Sequence, residues 1–218
     1  MTSSPDRVTQ SLLCAGVFLL WYTITQLVAH FPHLAALQHQ GLLMPVLCLL
    51  EFAVLVPVYR WYSRHYDDIP RGQLRPRQMA LFSALLLALI ASQSLYMQQE
   101  SWSASQISPE ALNRVWFVLA VVLLAPVFEE ILFRGFILQG LLLWAPRQRV
   151  ACSLLTSLIF AAMHTQYVHL QTVIALIALS LLFCAARLFS SGLKLPIFLH
   201  MLNNLLGVLP WIWATLSG

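Results

Sequence analysis

The sequence has very little charge. Only 9% of its 218 residues are aspartate, glutamate, lysine or arginine, whereas an average soluble domain has roughly 25%. Hydrophobic residues make up 60% of the chain, and its mean hydropathy is +0.77. This composition excludes an ordinary soluble domain. The net charge of +4 comes from arginines in a few connections, so it indicates membrane orientation rather than nucleic-acid binding.

Several other features are missing as well. The four cysteines (Cys14, Cys48, Cys152 and Cys184) lie in apolar runs without metal-type spacing, so we expect reduced, buried thiols. We find no internal repeat, no H-E-x-x-H, no G-x-S-x-G and no paired aspartates in neighbouring apolar runs, which argues against other hydrolase designs. The first apolar run is too long for a signal peptide and predicts a retained helix.

Seven apolar runs predict an all-α fold, a polytopic membrane bundle of about seven transmembrane helices. The runs cover roughly residues 9–30, 41–60, 78–97, 110–144, 150–166, 168–187 and 195–216. The basic connections fall on one side if the N-terminus is cytoplasmic. We therefore expect a single integral membrane domain over 1–218, in which helices without motifs (9–110) precede a catalytic core (111–210).

The fourth run combines unusual length with unusual charge. Its roughly 35 residues reach about 50 Å, more than a bilayer core of about 30 Å, so we expect a tilt, a kink near Pro126 or a bend after Arg134. Glu130 and Arg134 are four residues apart and can pair on one helix face. Glu129 points about 100° away and is free to face another helix.

Two later runs carry polar residues at the same spacing. Phe160 and His164 are four apart near the end of the fifth run, and His200 and Asn204 are four apart in the seventh. A lone polar residue in a membrane helix is often structural, but the set predicts one shared pocket. Convergence requires tilted helices or a seventh helix that begins before Lys194.

A carboxylate and two imidazoles allow two kinds of chemistry. They form a ligand set that zinc accepts, with an open fourth position. A desolvated glutamate is also a suitable general base for water without any metal, and histidine and asparagine donors can stabilise an oxyanion. Either route leads to hydrolysis of an amide bond.

The three motifs together resemble a known signature. Over about residues 113–207, the chain is similar to the CAAX prenyl protease and bacteriocin-processing (CPBP, or Abi) family of intramembrane proteases. The residues that carry this resemblance are Glu129-Glu130-x-x-x-Arg134, Phe160-x-x-x-His164 and His200-x-x-x-Asn204. The resemblance implies an all-helical membrane enzyme that cleaves peptide bonds within or near the bilayer.

The resemblance also implies roles for individual residues. Glu129 would activate water together with His164, and His200 and Asn204 would line the oxyanion site. Glu130, Arg134 and Phe160 would support the site, the first two by bracing the helix.

The cofactor and substrate stay open at this point. The family has been described both as metal-dependent and as metal-independent, so Glu129, His164 and His200 are expected metal ligands, with zinc as the candidate ion, only in the first case. The expected substrate is a membrane-anchored protein or peptide, prenylated or bearing a sorting signal, cut near its C-terminus or membrane anchor. We expect a bacterial inner-membrane location and no nucleic-acid partner.

Two alternative hypotheses assign the protein a function without catalysis. One is a non-catalytic immunity or scaffold protein that retains the polar pocket. The other is a small proton-coupled transporter that uses Glu51 and Glu129. For Glu51 we expect burial as a neutral, hydrogen-bonded acid, with a role in the polar cavity as the alternative. His169 is expected at the membrane interface rather than as a third ligand.

Overall fold

The computed structural model describes residues 4–98, 100 and 110–216, and within these ranges the chain forms eight helices and no strand. The helices are α1 (Ser4–Ala29), α2 (Leu34–His39), α3 (Leu43–His65), α4 (Pro76–Gln93), α5 (Ala111–Trp144), α6 (Arg149–Ala162), α7 (Leu170–Ser190) and α8 (Lys194–Leu216). Each of the seven predicted runs therefore forms a helix. The short helix α2 lies between the first two runs, where no apolar run was predicted.

The all-helical membrane fold is confirmed. Among the described residues, four helices are long and apolar enough to cross a bilayer, namely α1 from Arg7, α3, α5 and α7. Helices suit the interior of a bilayer because they satisfy their backbone hydrogen bonds internally. The number of seven crossings stays a prediction. The four cysteines are buried and free, as expected.

The long helix α5 is continuous, but it is wider than a regular α-helix in two places. Two π-helical segments, Ala120–Leu124 and Ile131–Ile137, interrupt its α-helical turns. These wide turns lie close to Pro126 and around Arg134, and the expected tilt, kink or bend of the helix stays a prediction. Such wide turns frequently occur at functional sites.

Helix α6 is shorter than its predicted run of 150–166. It ends at Ala162, and its 14 residues span only about 21 Å. His164 therefore lies beyond the helix, in the connection to α7. Helix α8 begins at Lys194 and not before it. An early start of α8 is therefore not observed, and a tilt of the helices stays a prediction.

Two clusters of buried apolar residues lie on the two sides of α8's first turns. One joins α1, α3 and α5, and the other joins α4, α7 and α8. The start of α8 is fixed by the α3–α4 connection, because Lys194 N–H donates to Arg71 O over 3.0 Å. Gly72 has φ +68° there, and a Cβ on it would lie 2.7 Å from the Cα of Gly192. This close backbone approach requires glycine at both positions.

Candidate active site

A proline in α5 creates a partner for Asn204. The Ala125 N–H donates to the carbonyl of Ala120, five residues back. The carbonyl of Val121 would next take its donor from Pro126, which has no N–H. Asn204 of α8 fills this place, and its Nδ2 donates to Val121 O over 2.9 Å. One amide hydrogen of Asn204 therefore ties α8 to the wide turn of α5.

Glu130 and Arg134 pair on one face of α5, as the spacing predicts. Both side chains are fully buried, and Arg134 Nη1 donates to Glu130 Oε1 over 2.9 Å. Arg134 Nη2 also donates to the hydroxyl of Ser180 over 2.7 Å and to its carbonyl over 3.2 Å. The ion pair thus links α5 to α7. Breaking a buried pair by removing one partner is strongly destabilising.

Aromatic rings complete the surroundings of the guanidinium. The Arg134 carbon Cζ lies 4.7 Å from the centre of the Phe160 ring and 5.2 Å from that of Phe183. Such contacts stabilise a desolvated cation. Phe160 thereby supports Arg134 from α6, which is consistent with its expected supporting place. Ser180 and Phe183 of α7 were not singled out from the sequence, since α7 carries no motif.

His200 bridges the two adjacent glutamates. Its ring is buried, with Nδ1 2.8 Å from Glu130 Oε1 and Nε2 3.8 Å from Glu129 Oε2. Because an ionised carboxylate only accepts hydrogen bonds, the Nδ1 atom carries a proton and donates it. The sequence predicted a partnership of His200 with Glu129. The structure adds the shorter contact with Glu130, which therefore does more than pair with Arg134.

Glu129 occupies the open side of this arrangement. Its side chain keeps 19% of its surface exposed, while its Oε2 atom is buried and, in the described part of the chain, without a hydrogen-bond partner. A buried polar atom without a partner is rare in proteins and calls for an explanation such as a catalytic role or a bound water. His200 Nε2 is within reach of the same space.

His164 approaches the site from the end of α6. Its Nδ1 lies 2.7 Å from Phe160 O, and because a carbonyl only accepts, Nδ1 is the donor and Nε2 is left as an acceptor. The Phe160 ring centre lies 4.4 Å from the His164 ring and 6.3 Å from the His200 ring. The structure thus brings both histidines against one phenylalanine. It gives no direct bond between His164 and Glu129 within the described residues.

Tyr167 and Glu100 are site neighbours that the sequence analysis missed. The Tyr167 ring stacks on His164, with ring centres 6.2 Å apart and planes at 8°. Burial, together with the negative charges of Glu129 and Glu100, raises the pKa of Tyr167 to about 12, so its hydroxyl keeps its proton at neutral pH. Neither residue belongs to a motif. Only the rarity of acidic residues in the chain distinguishes Glu100.

Glu51 lies behind Glu129 on α3. It is 4% exposed, and the Thr25 hydroxyl of α1 donates to its Oε1 over 2.9 Å. The expected burial and hydrogen bonding of Glu51 are confirmed, and a role in the polar cavity stays a prediction. His169 lies just before α7 and is half-buried there.

A cavity opens next to the site, between α3, α5 and α8. It has a volume of about 210 Å³ and a mostly apolar wall with basic residues at its rim. Ile131 and Ile197 of its lining are close in sequence to Glu130 and His200, but none of the polar site residues is itself part of the lining. Its lining includes Val56, Tyr59, Val127, Ile131 and Ile197, with Arg60, Arg71 and Lys194.

The donor atoms of the site meet only part of what a metal ion requires. The Nδ1 atoms of both histidines are held by oxygen acceptors, which is the usual second-shell arrangement of metal-binding imidazoles. However, the described residues contain no group of three histidine, cysteine, aspartate or glutamate side chains close enough to share one ion. The side chains of Glu129, His164 and His200 do not form a ready ligand set, so we derive no step through a metal.

Comparisons with known proteins address the same part of the chain. Residues 111–206 match the family described as Type II CAAX prenyl endopeptidase Rce1-like. The chain is also 40% identical over 183 residues to an Escherichia coli protein named "Uncharacterized 24.3 kDa protein", in a match that covers 78% of each chain. No solved structure gives a match. The family match contains all of α5, α6 and α7, together with the His200 and Asn204 region of α8.

Proposed function

Because the chain belongs to the type II CAAX prenyl endopeptidase Rce1-like family, a family of membrane proteases, we propose that it is an intramembrane endopeptidase that uses a glutamate-activated water. The observation that carries this proposal is the buried Glu129 Oε2 atom, which has no hydrogen-bond partner among the described residues and lies 3.8 Å from His200 Nε2. A polar, half-enclosed space next to a carboxylate is where a water nucleophile is best activated.

The reaction can be written with these side chains alone. The water oxygen attacks the carbonyl carbon of the scissile bond while Glu129 takes a proton from the water. The lone pair of His164 Nε2 orients the second hydrogen of the same water. As the C–N bond breaks, protonated Glu129 returns its proton to the leaving amine. Preorganised donors stabilise the negative charge on the carbonyl oxygen in between.

His200 and Asn204 are our proposed oxyanion donors. With Nδ1 donating to Glu130, the Nε2 side of the His200 ring faces Glu129, and an Nε2–H there would be the donor. The Nδ2 group of Asn204 has two hydrogens, of which Val121 O uses one. The other is available to the substrate. A requirement for zinc, for which the side chains of Glu129, His164 and His200 do not form a ready ligand set, would show as loss of activity on chelation.

The substrate we propose is a membrane-anchored protein or peptide, cut near its C-terminus or membrane anchor. The apolar cavity with its basic rim suits an apolar chain that ends in a negative charge. Prenylated tails and C-terminal sorting signals both have this character. Since the E. coli relative is bacterial and the basic connections point inward, we propose the bacterial inner membrane as the location.

The test is cleavage of a membrane-tethered reporter by purified protein in lipid vesicles. We expect Glu129→Gln, His164→Ala and His200→Ala to lose activity, whereas Glu110→Gln and His39→Ala, which change exposed residues outside the site, retain it. Full cleavage of the reporter by all three site variants would contradict the proposal and favour a scaffold or transporter function. The same cleavage assay with a chelator, and then with zinc added back, decides whether a metal takes part in the reaction.

A further inference from the structure

Glu100 makes an unusual set of contacts for a residue in a connection. Its carboxylate is buried, with 6% of the residue exposed. Thr172 Oγ1 donates to Oε1 over 2.6 Å, His169 N–H donates to Oε1 over 3.2 Å, and Val168 N–H donates to Oε2 over 3.2 Å. One carboxylate therefore receives three hydrogen bonds from consecutive parts of the same segment.

These bonds replace a missing helix cap. His169 is the residue before the first turn of α7, and its side chain makes no capping bond. The first N–H groups of a helix have no partner within the helix and require an acceptor. An aspartate or serine at the cap usually supplies it. Here Glu100 supplies it from another part of the chain, and its negative charge also suits this helix end.

The segment that Glu100 holds carries His164. Residues 163–169 join α6 to α7 without regular helical structure. At the first end of the segment, His164 Nδ1 bonds to Phe160 O, and Tyr167 N–H donates to His164 O over 3.2 Å. At the other end, Val168 and His169 bond to Glu100. The position of the imidazole therefore depends on both ends.

We infer that Glu100 is a positioning residue for the reaction: it fixes the 163–169 segment and thereby holds His164 and the stacked Tyr167 ring at the site. Glu100 itself acts through the segment and not on the substrate. This inference rests on the proposed function of His164. A displacement of about 1 Å in a reacting group costs roughly a hundredfold in rate, so release of the segment affects turnover more than binding.

The experiment compares Glu100→Gln with Glu110→Gln. Both replace a glutamate by its amide, but Glu110 is the cap residue of α5, where its carboxylate accepts a hydrogen bond from Asn113. The amide that Glu100→Gln introduces keeps one acceptor oxygen, and its NH₂ group has to face either the N–H of Val168 or the donors of His169 and Thr172. We expect kcat to fall roughly tenfold to hundredfold with KM within about twofold, and hydrogen exchange of residues 163–172 to rise. Glu110→Gln should change neither.

A second pair of variants tests the same contact from its other side. Thr172→Val removes the 2.6 Å bond while keeping the shape of the side chain, and Thr172→Ser restores the hydroxyl. We expect a smaller loss of kcat for the valine and recovery for the serine. A general loss of folding would lower the unfolding temperature in both Thr172→Val and Thr172→Ser, so the serine variant would not restore the activity.

Two results overturn the inference. One is unchanged exchange at 163–172 in Glu100→Gln, which means that the carboxylate does not hold the segment. The other is raised exchange with unchanged kcat, which means that the segment does not position a reacting group. Failure of the proposed function appears elsewhere, as wild-type cleavage by Glu129→Gln, a variant that leaves all the contacts of Glu100 in place.

Discussion

The two adjacent glutamates of α5 lie in opposite surroundings. Glu130 has no exposed surface; its Oε1 atom receives hydrogen bonds from both Arg134 and His200, whereas its Oε2 atom is buried without a partner in the described ranges. Glu129, one position earlier, is 19% exposed at its side chain and has a buried Oε2 atom without a hydrogen-bond partner in the described ranges. Glu130, Arg134 and Ser180 form a fixed side of the site, and Glu129 and His164 form an open side.

The difference shows how one helix can serve structure and chemistry together. A rotation of about 100° per residue directs the two carboxylates to different neighbours. The fixed side surrounds the buried Arg134 cation with a carboxylate, a hydroxyl and two aromatic rings. The open side keeps a carboxylate that a small molecule can reach. His200 touches both sides, so the rigidity of Glu130 is transmitted to the ring that faces Glu129.

The largest expected effect is on the open side. Glu129→Gln keeps the size of the side chain but removes the base, so we expect reporter cleavage to fall roughly 10²- to 10⁴-fold. The unfolding temperature should stay close to that of the parent protein, because Oε2 makes no hydrogen bond among the described residues. Initial rates in lipid vesicles and thermal unfolding in the same lipid measure the two quantities. A large loss of stability would contradict the division into two sides.

On the fixed side, we expect a substitution to lower stability first, whereas on the open side it lowers activity first. Arg134→Gln leaves Glu130 as a buried charge without its cation, which costs about 3–5 kcal/mol in the free energy of unfolding. Arg149→Gln, at the exposed start of α6, makes the same chemical change as a control. Unfolding in mixed micelles gives both values. Equal costs in the two variants would mean that the buried pair does not support the fold.

Part of this comparison could be predicted from the sequence. The apolar runs predicted all the long helices, and the spacing of four predicted the Glu130–Arg134 pair, because both depend on local periodicity. The short contact of His200 with Glu130 was missed, since periodicity within one helix does not determine which face a neighbouring helix presents. The contacts of Glu100 were missed because an acidic residue in a polar connection resembles any solvated one. The wide turn before Pro126 was not predicted, and the expected kink near this proline stays a prediction.

Asn204 separates a structural role from a catalytic one, with a moderate effect on stability. Asn204→Leu leaves the Val121 carbonyl without a donor, which costs about 1–3 kcal/mol in the free energy of unfolding. In a Pro126→Ala background, residue 126 gains an N–H that can bond to the same carbonyl. We therefore expect the Asn204→Leu cost to shrink there, and the double-mutant cycle measures this coupling.

The cleavage rates of the same variants address the oxyanion proposal. Loss of an oxyanion donor lowers kcat roughly 10²- to 10³-fold, and the Pro126→Ala background cannot restore it. Asn203→Leu is the matched control, since Asn203 bonds to Asn204 Oδ1 and not to Val121. A kcat that recovers together with stability would assign Asn204 to the fold alone.

The smallest expected effect is a pH dependence at the edge of the open side. Burial acts to raise the pKa of Glu100, but hydrogen bonds from Thr172, Val168 and His169 outweigh it and lower this pKa below its ordinary value. A lowered folded-state pKa means that the stabilisation is complete above the ordinary value, near 4.3, and is lost as the pH falls through the lowered one. We expect the difference in unfolding temperature between the parent protein and Glu100→Gln to be constant from pH 7 to about pH 5 and to shrink below about pH 4. Glu110→Gln, measured in parallel, corrects for the general effect of acid, and a difference that grows toward acid pH would contradict the assigned contacts.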